Sequence, residues 1–217
     1  GDAYKLSGTS AAIDPGEYSC TATPTSNYMW EDGTSGVVTV KWSIAKGNPN
    51  IVATPASVIV YAGGKATVDL KQAGLSTYSV ASSDSSIATA SVLGSKMTIS
   101  AVKSGSAQVT VSTAATSRFD AGSTVVTVSV PLAAGVIESV PGATSSSVVN
   151  KYKITTKASA TDSKVVPAVA FVGTTAKSGK FSVPASVTLS DGISYKVTSI
   201  GAKALKGKKF SNITISK

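Results

Sequence analysis

The sequence predicts an all-β chain of tandem small β-sandwich domains, with one short helical turn near the C-terminus. Three observations carry this. The apolar residues are mostly Val, Ile and Ala interleaved with Ser and Thr, a mix that suits pleated, half-buried strands. Long Leu/Glu/Lys/Ala blocks of helical period are missing. Short apolar–polar alternations recur between turn signals roughly every eight to twelve residues, the spacing of a small sandwich.

The first segment, residues 1–47, holds two alternating runs. GEYSCTATP (16–24) is one; GVVTVKWSI (36–44) is the other, with Val38, Val40, Trp42 and Ile44 on one face at period two. Between them NYMWEDGTSG carries Asp32-Gly33, a turn signal. KGNPN (46–50) has the composition of a linker. In the second segment, 50–131, Val58/Val60 and Val68/Leu70 flank the AGG turn at 62–64. Tyr78/Val80, MTISAV (97–102), AQVTVST (107–113) and STVVTVSV (123–130) continue the series, which stops at Pro131. Residues 132–148, with PGATSSSV, read as a second linker. The last segment, 149–217, contains YKITTKA, VVPAVAFVG, KFSVPASVTL and NITIS as strands. SIGAKALKGKKF (199–210) between them predicts the helical turn.

Composition removes most chemistry. With 217 residues, 42% of them hydrophobic, the chain can bury real cores. It has no histidine, which excludes Ser-His and Cys-His catalysis and histidine-containing zinc sites. Cys20 is the single cysteine, so no intrachain disulfide forms; mid-strand in YSCTAT it reads as a buried small hydrophobe. The eleven acids are dispersed, without a carboxylate pair or an Asp-x-Asp-x-Asp calcium pattern. AGGKAT lacks phosphate-loop spacing. The expectation is therefore a non-enzymatic chain with no cofactor and no metal. No apolar run approaches the ~20 residues of a spanning helix, so membrane insertion is not expected.

Charge is uneven. Residues 1–50 hold three lysines against five acids, and residues 132–217 hold twelve lysines against three acids. Lys203, Lys206, Lys208 and Lys209 crowd this basic tail. They read either as a solvated face or as a contact for an anionic wall polymer, glycan or nucleic acid. Arg118 is the only arginine, which argues against base-specific nucleic-acid reading. Trp30 and Tyr28, beside Glu31 and Asp32, are candidates for a ligand or partner contact, although Asp32-Gly33 serves equally as a turn. Trp42 reads as core. Asp84, in SSDSS, predicts an Asx-turn. Lys41 and Lys96 qualify by residue type for an isopeptide crosslink.

ATPASVIVYAGGKATVDL, then VASSDSSIATASVLGSKMTISAVKSGSAQVTVST and STVVTVSV, resembles the bacterial Ig-like domain, group 2, over about residues 50–131. The resemblance lies in an ordered series of turns around Ser-Ser-Asp-x-x-Ile-Ala. Residues 8–46, with Gly-x-Tyr, Tyr-x-Trp-x-Asp-Gly-Thr and Val-x-Trp-x-Ile, resemble the second half of short β-domains in surface and phage-like repeat proteins. Domain 1–47 is accordingly expected to be strand-incomplete. KFSVPASVTLSDGISYKVTSIGAKALKGKKFSNITIS is similar to the leading cap of a BspA-type leucine-rich repeat. About one repeat is present, where a solenoid needs roughly three.

Together these resemblances imply a multidomain surface protein of the kind found in Firmicutes: an extracellular spacer, stalk, filament subunit or adhesin. Its implied partners are other subunits or domains of the same protein, joined by β-strand complementation at an open sheet edge. Two alternatives stand beside this. One is a module binding glycans or anionic wall polymers; the other is a phage virion appendage.

Overall fold

The computed structural model describes residues 2–74, 76–143 and 145–216. The described residues are all-β, in several sheets, and none of them is helical. The chain divides into two compact units. One comprises Gly1–Asn50, Gln72–Thr77 and Thr113–Gly122; the other comprises Ile51–Lys71, Tyr78–Ser112 and Ser123–Lys217.

The first unit is built on one three-stranded sheet of order β1-β2-β3: β1 (Tyr4–Gly8), β2 (Gly16–Pro24) and β3 (Val38–Ile44). Both pairings are antiparallel. The two sequence-predicted strands are present, and β1 is added in front of them. The sequence 46–50 is more than a tether. Gly47 forms a parallel bridge with Phe119, its N–H donates to the Arg118 carbonyl at 2.9 Å, and Pro49 is buried. A Cβ on Gly47 would approach the Phe119 ring at 3.1 Å.

The second unit contains two cores. The first lies between two four-stranded sheets. One has the order β4-β6-β9-β8: β4 (Val52–Thr54), β6 (Lys65–Lys71), β9 (Lys96–Ala101), β8 (Ala88–Leu93). The other has the order β5-β11-β10-β7: β5 (Ser57–Ile59), β11 (Gly122–Val130), β10 (Gly105–Thr113), β7 (Tyr78–Ser82). Period-two alternation does the sorting. Val68, Leu70, Met97 and Ile99 point in from one sheet; Val58, Val109, Val111, Val126 and Val128 point in from the other. The Asx-turn at Asp84 is formed: its Oδ1 accepts from the Ser86 N–H at 2.9 Å and from the Ser86 hydroxyl at 2.6 Å. These bonds hold the Asp84 carboxyl below its ordinary value, the hydroxyl bond most strongly. Gly105 is needed where β10 begins. Its φ is +152°, and a Cβ there would lie 2.7 Å from Ile87 Cδ1.

The second core lies in the C-terminal segment. A five-stranded sheet has the order β12-β13-β14-β17-β16: β12 (Ile137–Gly142), β13 (Ser145–Thr156), β14 (Ala168–Thr174), β17 (Ser194–Ile200), β16 (Ser186–Thr188). A parallel pair, β15 (Ser178–Val183) with β18 (Lys209–Ile215), completes it. Tyr152, Phe171, Phe181 and Phe210 form a chain of ring contacts between the two layers. Residues 132–148 hold β12 and the start of β13, paired antiparallel; Val148 and Val149 continue a strand whose Ser- and Gly-rich start has linker composition.

The expected helical turn is not formed. Residues 202–207 make separate turns, in which the N–H groups of Ala204, Lys206 and Lys208 donate to the Gly201, Lys203 and Leu205 carbonyls. Successive residues do not continue the ladder. The segment between β17 and β18 is too short to offset helix nucleation, and Gly207 has a φ of +75°.

Within this unit one buried polar contact lies inside the C-terminal core, and another reaches that segment from Tyr61. The buried Asp191 carboxylate accepts from the Leu132 N–H (3.0 Å), the Ile193 N–H (3.1 Å) and the Tyr195 hydroxyl (2.6 Å). Burial first, then the Asp191 bond, raises the Tyr195 phenol far above its ordinary range. The Tyr61 hydroxyl accepts from the Ala160 N–H at 3.2 Å, and Lys157 Nζ sits 4.5 Å from the centre of its ring.

Candidate functional site

In the β1-β2-β3 sheet, registered partners share a face, so one face can be read directly. It carries Tyr4, Leu6, Tyr18, Cys20, Ala22, Val38, Val40, Trp42 and Ile44. The opposite face carries Lys5, Ser7, Thr21, Lys41 and other polar residues. An amphipathic sheet of this kind normally buries its apolar side. Here Leu6 is 55% exposed, Val40 54%, Tyr4 49% and Val38 44%. β1 and β3 are also the edge strands of the sheet.

The period-two reading of Val38, Val40, Trp42 and Ile44 is therefore right about the face. The assignment of Trp42 to a core is corrected: Trp42 is half-buried. It stacks on Tyr18 with ring centres 4.6 Å apart, and its indole N–H donates to the Thr9 carbonyl at 3.0 Å. Cys20 is likewise half-buried on this face rather than enclosed. The physical reason is common to both. Alternation fixes the direction of a side chain, whereas burial needs a second layer.

Trp30 is half-buried and Tyr28 is 51% exposed. The Trp30 indole N–H donates to the Gly36 carbonyl at 2.7 Å, and its ring centre lies 6.5 Å from that of Tyr4. Trp30 thus extends the apolar face from the loop after β2. Asp32 is spent on its own turn. It accepts from the Thr34 N–H (2.9 Å) and hydroxyl (2.7 Å), which lower its carboxyl below the ordinary value.

The lysine candidates belong to the other unit. Lys203, Lys206 and Lys209 are exposed. Lys208 is half-buried, and its ammonium donates to the Thr174 carbonyl at the end of β14 at 2.8 Å. Near them β18 has one partner strand and exposes Ile213 (43%) and Ile215 (59%). Lys96 pairs with Asp69 at 2.7 Å in solvent, and Lys41 is exposed. Neither sits in the buried setting that an isopeptide crosslink requires.

Sequence reasoning missed two residues, Asp191 and Asn150. Asp191-Gly192 carried a turn signal, but its partner Leu132 is 59 positions away. Asn150 interrupts an otherwise apolar inward row with Tyr152 and Ile154.

No family model matches the chain, and no curated protein matches it. Among solved structures it is similar to parts of the S-layer protein SbsC. Domains 4 and 5 align with 21% identity over 58% of this chain and 70% of that one, with a TM-score of 0.31. Domains 1–6 align with 21% identity over 64% and 19%, with a TM-score of 0.32. Domains 4–9 align with 18% identity over 76% and 28%, with a TM-score of 0.35.

Proposed function

We infer that the chain is a non-catalytic structural module of an extracellular surface that associates with further copies of itself. The observation that carries this reading is the uncovered apolar face of the β1-β2-β3 sheet with its two free edges. Soluble chains rarely leave such a face in water, and one rimmed by polar residues marks a protein contact. A second copy is the occupant, for reasons of charge and shape. Residues 1–50 carry an excess of acids, and residues 132–217 carry twelve lysines against three acids. Each segment also has an open strand edge with exposed aliphatic residues: Leu6 and Val40 in one, Ile213 and Ile215 in the other. The contact is thus heterologous, between the sheet of one copy and the basic tail of the next, and a contact of that type repeats into an open chain.

The finer reading of residues 50–131 is a group 2 bacterial Ig-like domain. It is supported by the two four-stranded sheets around one valine-rich core and by the parallel β5–β11 pair. For the tail, the parallel β15–β18 pair supports a leucine-rich-repeat cap put to use as a closed domain. Negative-stain electron microscopy of the purified chain at high concentration tests the reading. Linear oligomers are expected; a field of single particles at every concentration contradicts it.

A further inference from the structure

We propose that β18 of one copy adds to the outer edge of β1 in the next, antiparallel, with Leu6 opposite Ile213 and Tyr4 opposite Ile215. This rests on the self-association inferred above and names the strands that carry it. Among the described residues β1 pairs only with β2, and β18 only with β15. The backbone bonds show which residues face each open edge. The Thr25 N–H donates to the Ala3 carbonyl at 3.1 Å, and the Thr9 N–H to the Ser19 carbonyl at 2.9 Å. Ala3 and Thr9 thus face β2, and Lys5 and Ser7 with them, because the bonding direction alternates along a strand. Tyr4 and Leu6 turn their N–H and C=O groups outward. On β18 the Ser216 N–H donates to the Val183 carbonyl at 3.0 Å. By the same alternation Asn212 and Thr214 face β15, and Ile213 and Ile215 turn outward.

The four residues that offer backbone bonds also offer exposed apolar side chains. Tyr4 and Leu6 stand on the apolar sheet face. Ile213 and Ile215 register with the buried Phe181 and Val183, so the apolar row of that layer runs on to an open edge. A hollow of about 550 Å³ follows β1, lined by the consecutive residues Asp2 to Leu6. Neighbouring side chains point to opposite faces, so a hollow lined by all five lies along the strand edge. The other free edge of the same sheet does not fit. Thr21 bonds to β1, so Cys20 and Ala22 bond to Val40 and Val38 of β3. β3 therefore turns Thr39, Lys41 and Ser43 outward, and isoleucines paired with these would stand on the polar face. Charge selects β1 over a second β18: residues 1–50 carry three lysines against five acids, and residues 132–217 twelve lysines against three acids. An antiparallel pair is the more stable per residue.

The test is disulfide trapping on the full chain in a Cys20→Ala background, with sedimentation velocity of the same protein beside it. Ser7 and Asn212 are exposed. In the proposed pairing they fall opposite each other as a non-hydrogen-bonded pair, about 4.5 Å apart at Cα and within reach of a disulfide. Oxidised Ser7→Cys/Asn212→Cys should give a ladder of linked multimers, and neither single variant should give more than a dimer. Ser7→Cys/Ser216→Cys, the pair that a parallel arrangement would bring together, should give roughly tenfold less ladder, because its sulfurs are out of reach. Assembly in sedimentation without the Ser7/Asn212 ladder overturns this pairing and leaves the self-association standing. So does an equal ladder from the Ser7/Ser216 pair, or a cross-link confined to single chains. A chain that stays monomeric in sedimentation overturns both.

Discussion

Leu6 and Val38 both register with Ala22, one from each side, so two branched side chains stand on either flank of a small one on an open sheet face. Both are exposed, at 55% and 44%. In the next row Cys20 lies between Gly8 and Val40, so the branched side chain stands on the β3 side alone. Ala22 and Cys20 thus make a shallow trough on the middle strand of the face. A ridge of aliphatic side chains from another surface fits it, and removing such apolar area from water stabilises by roughly 25 cal/mol per Å². This relationship makes the sheet the most informative part of the chain for function.

A buried polar contact inside the C-terminal core rests on Asp191. Its carboxylate satisfies two backbone N–H groups and the Tyr195 hydroxyl, all in a buried setting. Asp191→Ala leaves three donors without an acceptor, and a loss of about 2–4 kcal/mol in unfolding free energy is expected from the cost of such orphans. Tyr195→Phe removes one donor together with its need, and should lose about 1 kcal/mol. Urea denaturation of both variants and of the double variant checks this. The double variant is expected to fall short of the sum, because the residues share one bond.

Gly105 and Ile87 make a second stability test. Gly105→Ala puts a Cβ 2.7 Å from Ile87 Cδ1 at a φ of +152°. Part of the cost is the clash and part is backbone strain, of order 1–3 kcal/mol for the latter. Ile87→Val in the same chain should recover the first part and leave the second. Thermal unfolding of the two single variants and the pair separates them.

How much was legible follows from whether a signal is local. Val68/Leu70 and Met97/Ile99 alternate at period two and sit at less than 3% exposure on the sandwich core, because strand direction and turn position are written in neighbouring residues. The Asx-turn at Asp84 is local in the same sense. Trp42 shows the limit: its face was readable, but the absence of a covering layer is a property of distant chain. Lys203–Lys209 shows another. Ala, Leu and Lys favour helix, yet the spacing between β17 and β18 leaves room only for turns. Asn150 was passed over because one polar residue in a Ser- and Val-rich strand resembles ordinary alternation.

Acid should expose the contribution of the Asp84 turn. Its carboxyl is held below the ordinary value of 3.8. A lowered folded-state value stabilises the fold above about pH 4, and that stabilisation is lost as pH falls through the folded-state value. Asp84→Asn has nothing to lose in that window. Melting temperatures of both proteins between about pH 6 and pH 2 should therefore converge at the acid end. A gap that stays constant throughout would show that the carboxylate charge is not what holds the turn.

The most direct test of the assembly surface is sedimentation velocity over a concentration series, comparing the unaltered chain with the double variant Leu6→Lys/Val40→Lys. Both positions are exposed on β1 and β3, so the variant should keep its fold, which circular dichroism verifies. The account predicts larger species that grow with concentration for the unaltered chain, and a single monomeric boundary for the variant at every concentration. A monomeric unaltered chain throughout the series, or a variant that assembles equally well, would contradict it.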